Sequence, residues 1–289
     1  KVSILLNGIT DGTTGSSGIT GTLTLGGTTV TTFPFGNSDK FVEPMNLTAG
    51  ATYKLTLDPA GSNSGSITTT VYSVPADPTV AGALGTTSPI SVGTPGQGAK
   101  LTFTGTAGHL VSLWFDTNTI GNPIFNPTIV TLTSPTSTTV ETVSLYAHDT
   151  FFEPVTLPST GIYTLSFNPN GANIGSFNVT PYDVPADATA TATMGGGNVT
   201  ATTTVPGQNA QFTVTTTSAT PITISLDISS ATDAFISVWK AGVLVKAPSS
   251  FTTNPGDTVS FTPAAGTNTY VIKVDPAVNN VGAYVVSVS

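Results

Sequence analysis

The chain contains no cysteine and no arginine, and its only basic side chains apart from two histidines are seven lysines spread over 289 residues. Without cysteine there can be no disulfide framework, thiolate nucleophile or Cys-based zinc site. Without arginine there is no planar fork for bidentate recognition of phosphate or carboxylate. A net charge of −8 opposes nucleic-acid binding, which depends on clustered Lys and Arg to neutralise phosphates. It disfavours an anionic membrane surface for the same reason. Charged residues make up 8% of the chain, against about 25% in ordinary globular proteins. No run approaches the ~18 apolar residues of a membrane-crossing helix. The sequence starts at Lys1 with neither Met nor a signal-peptide pattern, so a processed mature form or a fragment is expected. Low charge, abundant Thr and absent Cys together point to a secreted bacterial or archaeal protein, placed extracellularly or at the cell surface.

Thr is the most conspicuous presence, at 57 positions, with 30 Gly and 21 Pro. This alphabet favours strands and turns over helices. Apolar and polar residues alternate in Ile19–Leu25, Leu101–Phe103, Tyr163–Phe167, Ile222–Leu226 and Tyr270–Val274. Period two is the mark of a half-buried strand. Gly26-Gly27 reads as a hairpin turn, and residues 11–18 as a Gly/Ser/Thr turn region. No helical period persists over three turns, so the expected class is all-β.

The chain also repeats itself. Residues 41–79 and 151–189 align without a gap, with 18 of 39 positions identical. A more diverged copy runs from Thr269 to Gly282. The repeat divides the chain into three expected β-sandwich modules, 1–77, 78–187 and 188–289. The stretches between copies, Pro78–Gly98 and Ala188–Asn209, each run from P-A-D to P-G-Q. Ala188–Thr193 alternates and is expected to pair as a strand rather than hang as a linker. Aligning Val2-Ser3-Ile4 with Val111-Ser112-Leu113 leaves module one without a counterpart of Pro95–Gly108, including the strand Leu101-Thr102-Phe103. Such a module presents an unpaired edge, which is read equally as a template for a strand of another chain or as the mark of a fragment of a longer array.

The recurring pattern is carried by Gly161, Tyr163, Leu165, Pro169, Gly171, Gly175, Tyr182, Val184, Pro185, Ala186 and Asp187. Tyr53, Leu55, Pro59, Gly61, Gly65, Tyr72 and Val74–Asp77 repeat it, with Ala51 in place of the first Gly. Tyr270, Pro276 and Gly282 keep part of it. The pattern resembles the tandem jelly-roll-like β-sandwich repeats of large secreted bacterial surface proteins. It is also similar to the bacterial pre-peptidase C-terminal domain, a module appended to secreted enzymes. That resemblance implies a sandwich fold and says little about chemistry, because sandwiches host many roles.

Candidate chemistry is sparse. His109 and His148 do not stand at metal-ligand spacing, and no G-x-S-x-G elbow accompanies them. Asp39 with Glu43, and Asp149 with Glu153, recur in a D-x-F-x-E-P element. On an ideal strand each pair lies ~13 Å apart, beyond the ~6.5–9.5 Å of inverting glycosidases, so backbone-capping acids are the favoured reading. Asp58, Asn168 and Asp275, with Asn63, Asn173 and Asn280, could offer oxygens to calcium. Each copy has at most one acid, and Asp/Asn-Pro with Gly is turn grammar. Trp114 and Trp239 lie in apolar strand patterns and are expected in the core rather than on a carbohydrate platform. Asn46, Asn178 and Asn198 open glycosylation sequons, with Asn178 disfavoured in mid-strand; the dense Thr is open to O-glycosylation. No catalytic, cofactor or metal residue is assigned. The expected protein is a non-enzymatic subunit of an extracellular filament or surface assembly, a homopolymer joined by strand addition, with glycans or the cell surface as further candidate partners. The alternative is a carbohydrate-binding or adhesive accessory region of a secreted enzyme. A glycan-active enzyme using Asp149 and Glu153 is the least favoured reading.

Overall fold

The structure, a computed structural model, describes residues 1–11, 18–121, 124–228, 233–252 and 258–289. Most of the turn region expected at 11–18 lies outside the described residues. The described residues are all-β, with strands in six sheets and no helix. The strands are β1 (Val2–Asp11), β2 (Ile19–Leu25), β3 (Thr28–Phe35), β4 (Lys40–Met45), β5 (Tyr53–Pro59), β6 (Gly65–Ser73), β7 (Thr79–Ala81) and β8 (Ser88–Val92). Next come β9 (Ala99–Gly105), β10 (Leu110–Asp116), β11 (Thr128–Thr133), β12 (Thr139–Leu145), β13 (Thr150–Thr156), β14 (Gly161–Pro169), β15 (Gly175–Val184) and β16 (Ala188–Ala192). The last are β17 (Val199–Thr202), β18 (Ala210–Thr216), β19 (Ile222–Ile228), β20 (Asp233–Lys240), β21 (Val243–Thr252), β22 (Thr258–Phe261), β23 (Asn268–Pro276) and β24 (Ala283–Val288).

Alternation in sequence becomes alternation in burial. In β9, Ala99, Leu101 and Phe103 point inward while Lys100 and Thr104 face solvent. Tyr163, Leu165 and Phe167 do the same in β14. Full burial of a side chain of this size is worth ~1.5–3 kcal/mol, so a one-residue slip of register would be heavily disfavoured. The buried apolar residues form three clusters, each between facing sheets. One joins sheet β13-β10-β15-β8 to sheet β12-β11-β14-β9-β7. Another joins β17-β24-β19-β22 to β16-β18-β23-β20-β21. The third lies between β4-β1-β6 and β3-β2-β5, where Ile4, Leu6, Phe33 and Val42 are buried while Leu55, Leu57 and Ile67 are only partly so.

The repeated tyrosine has a structural task in every copy. The Tyr163 hydroxyl donates to Ser159 O (2.6 Å) and accepts from Ser159 N (3.1 Å). The Tyr53 hydroxyl accepts from Thr48 N (2.8 Å), and that of Tyr270 accepts from Ala264 N (2.8 Å). Each ties down the loop that leads into its own strand. Gly26 and Gly27 both have positive φ, 57° and 86°, as a two-residue hairpin turn requires.

Ala188–Ala192 does pair as a strand: β16 lies parallel to β18, as β7 lies parallel to β9. The first copy has an open edge in both of its sheets. Among the described residues β5 pairs only with β2, and β6 only with β1. No strand among the described residues stands where β7, β8 and β9 stand in the second copy, so each of these two sheets has three strands.

The tryptophans also differ from expectation. Trp114 and Trp239 are half-buried, not core. In β10 the inward positions belong to Val111, Leu113 and Phe115, which leaves Trp114 on the opposite face of the pleat. Trp239 is similarly placed beside Val238, and its indole N–H donates to Ser237 Oγ (2.9 Å).

Candidate functional site: a repeated joint and an open edge

Two joints, built alike, link the three clusters. At the first, Ser3 of β1 is fully buried and donates to Pro95 O (2.7 Å). At the second, Ser112 of β10 is fully buried and donates to Pro206 O, also at 2.7 Å. The next residue in each P-G-Q turn is a glycine with left-handed φ, +86° at Gly96 and +90° at Gly207. A Cβ on Gly96 would lie 2.5 Å from Pro44 Cγ, and one on Gly207 2.7 Å from Pro154 Cγ. Both conformation and space therefore demand glycine. Pro44 and Pro154 are the prolines of the two E-P dipeptides, so D-x-F-x-E-P is not a free turn. It forms strands β4 and β13, which present their prolines to the following turn.

The glutamine of P-G-Q closes the joint from the other side. Gln97 Nε2 donates to Ala76 O (3.2 Å), and Gln208 Nε2 donates to Ala186 O (2.7 Å). Gln208 Oε1 also accepts from Thr204 N (2.8 Å). The aspartates of P-A-D complete the set: Asp77 accepts from Gly98 N (3.1 Å), and Asp187 from Gln211 Nε2 (2.5 Å). A hydrogen bond of this kind contributes ~1 kcal/mol, and losing one partner of a part-buried pair costs more.

Carboxylates line the joints. Glu43 accepts a backbone hydrogen bond from Gly171, yet partial burial holds its carboxyl above the usual range. Glu153 is raised by desolvation and by the negative charge of Asp275. Asp275 is itself raised by desolvation, with Lys273 opposing and Asp187 adding to the shift. The Asn209 amide, turned with its nitrogen toward Asp275 (2.9 Å), accepts from Lys273 Nζ (3.3 Å) through its oxygen. The second joint is thus the more acidic.

The other sequence candidates go elsewhere. Asp149 accepts from Thr117 N (2.9 Å), a capping role, while Glu153 faces Asp275, so the pair converges on no common point. His109 Nδ1 meets Asp183 Oδ1 at 2.9 Å on the surface. The groove beside it is lined by Gly108, Leu110, Val184, Pro185 and Ala186, none of which carries a hydroxyl or thiol. His148 stacks on Tyr146 and contacts Asp149 O (2.9 Å). The Asp/Asn-Pro loops are turns: Gly61, Gly171 and Val278 take left-handed φ of 66°, 63° and 57°. Asn173 donates to Asn126 O (3.2 Å). Among the described residues no group of three or more His, Cys, Asp or Glu is placed to hold a metal. The Asn178 amide donates to Asp116 (2.8 Å), while Asn46 and Asn198 are exposed.

Sequence reasoning recognised P-A-D and P-G-Q as joint material but missed Ser3, Ser112, Pro44 and Pro154. The recurrence of Glu-Pro and of Val-Ser at nearly the module spacing was the available signal.

No family model and no curated protein matches the chain. Among solved structures it is similar to the pre-peptidase C-terminal domain of a collagenase from Bacillus anthracis. The identity is 16% over 37% of this chain and 96% of that one, with a TM-score of 0.27. It is also similar to the CUB1-EGF-CUB2 domain of human MASP-1/3, at 8% identity over 70% of this chain and 99% of that one, TM-score 0.23. A third is the major capsid protein P2 of bacteriophage PM2, at 9% identity over 70% and 97%, TM-score 0.19. The domain that the repeat motif resembles is therefore among the structures the chain is similar to. No helix among the described residues is long and apolar enough to cross a membrane.

Proposed function

We propose that the chain is a non-enzymatic structural subunit of an extracellular filament or cell-surface assembly. In this reading residues 1–77, 78–187 and 188–289 are three β-sandwich modules set in a stiff row, and subunits join by β-strand addition to module one. The observation that carries it is the repeated joint. Buried Ser, left-handed Gly, Pro and Gln are spent on fixing one module against the next, in two copies with the same partners. An enzyme or a flexible linker array has no need of that. The open edges of β5 and β6 support the mode of assembly. Electron microscopy of the native material tests it: fibres or a lattice of defined width are expected. Dispersed particles of one chain at all concentrations would refute it.

A second reading, a carbohydrate-binding accessory region, is favoured by one feature. Half-exposed Trp239 shares a shallow groove with Gln211, Val271 and Lys273. Glycan binding abolished by Trp239→Ala would establish it, and a protein that binds no glycan would remove it.

A further inference from the structure

The other two copies of the fold show what normally lies against β5 and β6. In the second cluster, β14 pairs with β9 so that Tyr163, Leu165 and Phe167 oppose Phe103, Leu101 and Ala99. In the third, β23 pairs with β18 so that Tyr270, Ile272 and Val274 oppose Val214, Phe212 and Ala210. Each partner reads A-x-Φ-x-Φ, with Φ a large apolar residue and the small residue at the same end. In the facing sheet β15 pairs with β8, where Phe177 opposes Ile90 and Gly175 opposes Val92. Tyr163, Leu165 and Phe167 are buried as a result, with exposures of 0%, 0% and 2%. Their counterparts Tyr53, Leu55 and Leu57 are only partly buried, as is Ile67, the counterpart of Phe177. A small cleft beside β6, lined by Ile19, Pro59, Gly65 and Ile67, stands where the side chain equivalent to Val92 would enter.

Building on the strand-addition reading, we infer that this edge binds a strand–turn–strand segment of a neighbouring polypeptide with the pattern of residues 86–105. The donor's first strand runs antiparallel to β6, its Ile opposite Ile67 and its Val opposite Gly65 in the cleft. A P-G-Q turn then crosses between the sheets. The second strand runs antiparallel to β5, placing Phe opposite Tyr53, Leu opposite Leu55 and Ala opposite Leu57. Main-chain hydrogen bonds supply affinity and the alternate apolar side chains supply specificity. A polar or charged residue at the Leu or Phe position would be forced into the core.

The test uses the 289-residue chain and a synthetic peptide of residues 86–105, with binding followed by titration and by amide hydrogen exchange. The peptide should bind at one site and slow exchange across 53–59 and 65–73. A peptide carrying Leu101→Asp and Phe103→Asp should bind about a hundredfold more weakly, given the apolar burial it loses. Equal binding of both peptides, no binding of either, or protection elsewhere in the chain would overturn the inference. So would native material in which an extension of the same polypeptide fills the edge in cis. Native fibres with no peptide binding would sink the donor pattern alone. Peptide binding without any native assembly would instead sink the structural-subunit reading.

Discussion

At the scale of single residues, two positions depart from their repeat equivalents in ways that predict stability changes. Val278 holds φ +57° where the other copies have Gly61 and Gly171. A left-handed conformation costs an L-residue ~1–2 kcal/mol, and β-branched residues tolerate it worst. Val278 is half exposed, so little packing is lost on its removal. Val278→Gly is expected to stabilise the chain by about 1 kcal/mol, checked by denaturant unfolding. Tyr284 occupies the place of Phe177 and is fully buried, with Thr203 near its hydroxyl but no well-formed hydrogen bond to it. Desolvation pushes that hydroxyl up to about 12. Tyr284→Phe is expected to be neutral or stabilising by up to ~1 kcal/mol, because a buried, poorly paired hydroxyl is removed without a cavity. A thermal unfolding midpoint lowered by several degrees would contradict that.

At the scale of elements, the joints are where sequence and structure inform each other most. The strands themselves were legible, since period-two runs such as Tyr163–Phe167 and Tyr270–Val274 state which side chains go inward. The turns were legible from Gly and Asx-Pro grammar. The joints were legible only in part. Ser112 and Pro206 are 94 residues apart, and no local pattern announces a contact between them. Trp114 was misplaced for a different reason. Leu113-Trp114-Phe115 is unbroken apolar sequence, so alternation gives no phase, and only the pairing of β10 with β13 and β15 fixes which face each residue takes.

The joints make two further predictions. Gly207→Ala forces both a strained φ and a Cβ 2.7 Å from Pro154. It should leave each core folded but loosen the second joint, read as a larger maximum dimension or broader distribution in small-angle scattering. An unchanged scattering profile would show that the joint does not set the geometry. The carboxylates give the joint a pH dependence. Glu153 and Asp275 are both raised from their ordinary values of 4.5 and 3.8. The folded protein therefore holds these protons more tightly than the unfolded chain, and stability falls as pH rises through the window above those values. Their contribution is fully present below the ordinary values and lost above the raised ones. Glu153→Gln should flatten this part of the stability profile, measured by thermal unfolding from acid to neutral pH. A profile identical to that of the parent would exclude the pair as its source.

At the scale of the whole molecule, the features reinforce one reading. Low charge and the absence of cysteine leave little chemistry. The repeat gives three clusters, the joints register one against the next, and the first cluster presents two adjacent open edges. An exposed edge is a hazard that natural sheets normally cover, shorten or charge. β5 carries the exposed charges Lys54 and Asp58, but β6 has neither charge nor proline from Gly65 to Ser73, and its Val71 is 60% exposed. Closure of that edge by a neighbouring subunit is the account's central claim. Hydrogen exchange compared between assembled and dispersed material tests it most directly. Amides of 53–59 and 65–73 are predicted to exchange slowly in the assembly and rapidly when dispersed, with β9 and β14 protected in both. Equally rapid exchange at those amides in both states would contradict the account.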